Sequence, residues 1–100
     1  MVKHIVLWRL HEHAEGHDRE HNAQRAKAML EALNGRIEGL LHLEVGRDFS
    51  AGEQSGDLLL YSEFVDRAAL AHYQRHPKHE AVKPFIAAIT CERRVVDYEI

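Results

Sequence analysis

The 100-residue chain has one cysteine, two prolines, six glycines and seven aromatic side chains. With Cys91 as the only thiol, no internal disulfide can form and no cysteine-based metal framework is available, a usage that fits a reducing compartment. Charge of one sign is lacking too. Thirteen basic against sixteen acidic residues leave a net charge of -3, without the basic stripe that nucleic acid or anionic lipid demands. Long hydrophobic runs are also missing: the longest, Ile5–Trp8 and Phe85–Cys91, fall far short of the ~20 residues that cross a bilayer. No leader with a basic start and an apolar middle opens the sequence. These absences predict a cytoplasmic, globular domain spanning residues 1–100 around one core, with neither nucleic acid nor membrane as partner. What is abundant is histidine. Nine imidazoles, each titrating near neutrality and able to carry a proton or ligate a metal, are where chemistry is to be sought.

Residues 3–10 have apolar side chains on both parities, as in a strand covered on both faces; His4, Val6, Trp8 and Leu10 share one face, Lys3, Ile5, Leu7 and Arg9 the other. A polar, histidine-rich link over 11–18 leads into a helix whose apolar positions Ala23, Ala26, Leu30 and Leu33 recur at helical spacing. Asn34-Gly35 stops it. A second strand is predicted over 40–49, with Leu41, Leu43 and Val45 alternating against His42 and Glu44, and then a loop over 50–56. A third strand, 57–65, is apolar on both parities. Asp66 caps a helix that runs to His76, breaks at Pro77 and resumes near Lys78 with Val82, Phe85, Ile86 and Ile89 in one stripe. A last strand covers 94–100.

The order strand, helix, strand, strand, helix, strand is the split arrangement of a ferredoxin-like α+β sandwich. Two helices cover only one face of four strands, yet strands one and three are apolar on both. The uncovered face therefore predicts a homodimer, sheet against sheet.

Lys3-His-Ile-Val6, Glu44-Val-Gly46, the segment from Tyr73 through His76-Pro77 to His79, and the terminal Val96-Asp-Tyr98 together resemble the stress-responsive A/B barrel domain family, Dabb, across essentially the whole chain. The resemblance implies a ferredoxin-like subunit in a dimeric α+β barrel. That fold is shared with monooxygenases, haem-degrading enzymes and isomerases, so it does not set the activity. Relatives of known activity are plant polyketide cyclases, which close an aromatic ring by aldol condensation with a Tyr and a His; those positions match Tyr73 and His79 here.

On that resemblance, His79 is the expected base and Tyr73 the hydrogen-bond donor, in cofactor-independent chemistry on a small apolar carbonyl or aromatic ligand. The bend at Pro77 is needed, since six residues of unbroken helix put the two on different faces. The competing expectation is packing: Tyr73 in the core with its hydroxyl at the rim, His79 orienting the helix restart. His4 matches a pocket-lining histidine of the cyclases, with a hydrogen-bonded core histidine as the competing expectation, and Trp8, Leu58 and Leu60 are expected beside it on the ligand. Leu58 replaces a further pocket histidine of the cyclases, and Trp8 is bulky enough to fill the space, which leaves a non-catalytic, stress-associated dimer with a closed cleft as an alternative. Haem-binding or monooxygenase-type activity is the other alternative.

His11, His13, His17 and His21 include members four apart, but Gly16 argues against a regular helix there, so a solvated face rather than a metal site is expected. His76 is expected to satisfy backbone freed by the helix break. Cys91 is read as structural. Asp97 and Tyr98 fall on opposite sheet faces, as a rim charge and a packing ring.

Overall fold

A computed structural model describes residues 1–100. Its main sheet contains four antiparallel strands in the order β4-β5-β1-β6: β1 (Val2–Leu10), β4 (Leu40–Arg47), β5 (Leu58–Phe64) and β6 (Thr90–Glu99). β1 lies between β5 and β6, and the even-numbered side chains from Val2 to Leu10 are buried while the intervening ones are half-buried or exposed. Pairing aligns His4 with Ser62 on one side and with Asp97 on the other, and Trp8 with Leu58 and Arg93. The inward rows are covered by α1 (Arg19–Glu31), α2 (Arg67–Arg75), α3 (Pro77–Glu80) and α4 (Lys83–Ile89). The core joins Val6, Leu43, Leu60 and Phe64 from the sheet to Ala26, Leu30, Tyr73 and Ile89. No helix is long and apolar enough to cross a membrane.

The helix starts follow local chemistry. Asp18 accepts the His21 N–H at 2.9 Å, and Asp66 accepts the Ala69 N–H at 2.8 Å, each satisfying a donor that the first turn leaves free. His76 does the same for α3 through Nδ1, accepting the Lys78 N–H at 3.1 Å, which is the backbone-satisfying part expected of it. Gly39 has φ +87°, and a Cβ there would lie 2.6 Å from the Ala69 methyl, so the entry to β4 requires glycine.

Four details correct the sequence reading. The polar link is a small hairpin, β2 (His13–Ala14) with β3 (His17–Asp18), turned by Glu15 and Gly16 at positive φ and pinned to α1 by buried Asn22, whose Nδ2 donates to the Ala14 carbonyl at 2.9 Å. Leu41 is 53% exposed, because a register shift between Leu40 and His42 gives the inward place to Leu40. The restarted helix is two pieces: Pro84 has no N–H to continue the ladder from α3, so α4 begins afresh. β6 begins at Thr90, four residues before Arg94, as Thr90 pairs with Leu10.

Candidate active-site cavity

Between the inward sheet face and the helices α1 to α4 lies a cavity of about 680 Å³, open to solvent, a size typical of small-molecule sites. Its apolar wall is Val6, Trp8, Leu30, Leu60, Val82 and Ile86; His4, Tyr73 and His79 are among its polar lining residues. The break at Pro77 builds this arrangement. α2 ends at Arg75, His76 is extended, and α3 leaves in a new direction, so the Tyr73 and His79 rings stack with centroids 4.2 Å apart and a 33° tilt. Tyr73 is 1% exposed and packs on Phe64 at 5.0 Å and edge-on to His4 at 6.3 Å.

The Tyr73 hydroxyl is unsatisfied, and His79 Nδ1 has only the Gln74 backbone near it, short of good hydrogen-bond geometry. Only three buried side-chain polar atoms in the chain lack a hydrogen-bond partner, and two of them are the Tyr73 hydroxyl and His79 Nδ1. Buried polar atoms are ordinarily paired, and an unpaired one costs ~1–3 kcal/mol. Burial pushes the Tyr73 phenol above its usual range, so it stays protonated. Burial also holds the His79 imidazole below its usual pKa; the Gln74 backbone opposes this, while the Lys83 ammonium acts in the same direction as burial. The pair thus presents a neutral imidazole next to a protonated phenol.

His4 is buried and hydrogen-bonded through Nδ1 to Asp97 Oδ1. A carboxylate only accepts, so Nδ1 carries the proton in this bond. The His4 carbonyl in turn accepts the Ser62 hydroxyl at 2.8 Å.

The family model of the stress responsive A/B barrel domain, Dabb, matches residues 2–100. The chain is a member of the Dabb family. A dimeric protein of unknown function with a ferredoxin-like fold from Bacteroides fragilis is 33% identical with a TM-score of 0.84, the match covering 99% of this Dabb chain and 95% of that one. A dimeric ferredoxin-like protein of unknown function from Jannaschia is 27% identical with a TM-score of 0.75, covering 99% and 98% of the two chains. An antibiotic biosynthesis monooxygenase is 18% identical with a TM-score of 0.72, covering 100% and 98%, a likeness of fold alone. Among curated proteins, none matches.

Of the residues singled out in the sequence, Tyr73, His79, His4, Trp8 and Leu60 meet at the cavity of the Dabb chain. Leu58 does not. It is buried at the start of β5, opposite Trp8, and at that level of the sheet the larger indole supplies the wall. Trp8 lines the cavity without filling it. Asp97 is exposed, as expected of a rim charge, yet it lies on the helix side, and its register with His4, invisible before the strands are paired, makes it the imidazole's partner. Lys83 and Arg93 also line the cavity; each reads in the sequence as an ordinary surface cation. The amino-terminal histidines do not converge. His17 and His21 stack at 3.7 Å on the exposed hairpin–helix junction, and no group of three or more potential ligands assembles anywhere in the chain. Cys91 is exposed, its thiol 3.6 Å from the Arg9 carbonyl.

Proposed function

We propose that this Dabb protein binds a small, largely apolar carbonyl or aromatic compound in the cavity and moves a proton on it, in cyclase- or isomerase-like chemistry that needs no cofactor. The observation that carries this reading is that Tyr73 and His79, whose hydroxyl and Nδ1 are buried without a partner, both line an open apolar cavity. His79 takes the proton from the carbon beside a carbonyl. The electron pair moves onto the carbonyl oxygen, which accepts a hydrogen bond from Tyr73 as its charge develops. The resulting enolate either regains the proton at another carbon, which is an isomerisation, or attacks a second carbonyl of the same molecule, whose oxygen then takes the proton from the imidazolium. His4, held through Nδ1 by Asp97, keeps its other ring nitrogen for a hydrogen bond with the ligand.

The assembly we propose is a homodimer through the outer sheet face. Ile5, Leu7 and Leu59 sit there in cross-strand register with Val96 and Tyr98 beyond them, and the last three are exposed in the single chain. The two relatives at 33% and 27% identity are dimeric. A closed, non-catalytic cleft has the burial of Tyr73 in its favour and the open cavity beside Trp8 against it; a monooxygenase or haem-binding role has only the shared fold behind it.

A ligand-observed NMR screen of alkylphenones and polyketide-like diketones tests the reading. Binding by wild type, weakened in a folded His79→Ala variant, is expected; a folded wild type that binds none of them overturns it.

A further inference from the structure

The cavity wall is unlike the rest of the protein in charge. The chain as a whole carries a net charge of -3, yet no aspartate or glutamate lines the cavity, while Lys83 and Arg93 both do. Lys83 is already engaged: its Nζ donates to Glu80 Oε1 at 2.6 Å and to the Gln74 carbonyl at 3.3 Å. Arg93 is not. No carboxylate lies within ion-pair distance of its guanidinium, and its sequence neighbours Glu92 and Arg94 pair with each other at 3.8 Å on the opposite side of β6. On the Arg93 side of the strand the nearest acid is Asp97, which holds His4; four residues of strand separate the two by ~13 Å. Arg93 is exposed, stands opposite Trp8 and lines the same cavity as the apolar wall.

We propose that the compound this cavity takes is an ionised carboxylic acid, its carboxylate on the Arg93 guanidinium and its apolar or aromatic body against Trp8, Val6 and Leu60. The proposal rests on the ligand-binding reading above and narrows it to a keto acid or aryl acid. A guanidinium presents two parallel N–H donors that match a carboxylate, and one free cation balances one negative charge. The carboxylate anchors the end of the ligand at the mouth, leaving its carbonyl for Tyr73 and His79.

Matched probes separate the two levels of the account. 4-Butylbenzoate and the neutral 4-butylbenzamide, of nearly the same shape, are titrated against the dimeric wild type, Arg93→Gln, Arg93→Lys and the surface control Arg36→Gln. The benzoate should bind wild type and Arg36→Gln about 10-fold more tightly than the amide, the gain expected of a charge-assisted pair. That preference should vanish in Arg93→Gln and return in part in Arg93→Lys. Equal binding of acid and amide by wild type, or a preference that survives Arg93→Gln, overturns the carboxylate assignment while leaving the cavity reading intact. Failure of both probes to bind folded wild type overturns the cavity reading and the assignment with it.

Discussion

Replacing Tyr73 by Phe removes one oxygen and keeps the ring that packs on Phe64 and His79. For an ordinary buried tyrosine the change breaks a hydrogen bond and destabilises the protein. Here the hydroxyl is buried with no partner, so the folded state carries its desolvation cost without a compensating bond. Such a cost is ~1–3 kcal/mol, and we expect Tyr73→Phe to be more stable than wild type by about 1 kcal/mol. For a domain of this size that raises Tm by ~4–8 °C, read by calorimetry at a fixed protomer concentration because a dimer's Tm depends on it. Function should move the other way. Affinity for a ketone probe should fall by ~2–10-fold and proton transfer on it by ~100-fold or more, since the donor acts mainly on the charge that develops. A Tm lowered by several degrees, with binding unchanged, refutes the reasoning: the hydroxyl would then be a satisfied core group rather than a waiting donor.

Three further outcomes follow from particular residues. Because the His79 pKa is held below its ordinary 6.5, its neutral, basic form persists below that pH, and proton transfer should fail only as pH drops through the lowered value. In the same window the unfolded chain binds a proton that the folded one does not, so stability falls as pH drops from 6.5 toward the folded pKa; denaturation of His79→Gln as a function of pH should lack that part of the decline. Val96 is 58% exposed on the outer sheet face opposite Ile5, and Val96→Lys should shift sedimentation from dimer toward monomer; an unchanged dimer would place the interface elsewhere. Gly39→Ala should cost ~1–3 kcal/mol in urea denaturation, from positive φ and a 2.6 Å contact with Ala69, and a loss below ~0.5 kcal/mol would contradict that geometry.

Which side chains share a face of β1 and β5 was legible because alternation is a local property: His4, Val6 and Trp8 on one parity, Leu58, Leu60 and Phe64 on another; which face is inward was not, because both parities are apolar. Leu41 was misplaced because a bulge shifts the phase within one residue, and no sequence signal marks it. The second helix break was written at Pro84, but one proline at the start of a helical turn is also compatible with a continuing helix, so only packing decides. Tyr73 and His79 came from the family resemblance together with the bend at Pro77, and they meet at the cavity. The partner of His4 was hidden for a different reason. Asp97 is ninety-three residues away, and which acid faces a given imidazole depends on the β1–β6 register, a long-range quantity. Arg93 was hidden likewise: a free cation is known only once every acid has found its partner.

The most direct test of the central claim is deuterium exchange. Butyrophenone exchanges the protons beside its carbonyl slowly in neutral D₂O, and NMR follows their loss with wild type or His79→Gln present. Exchange well above the buffer rate is expected with wild type, and the buffer rate with His79→Gln. Exchange at the buffer rate by a wild type that demonstrably binds the ketone would contradict it.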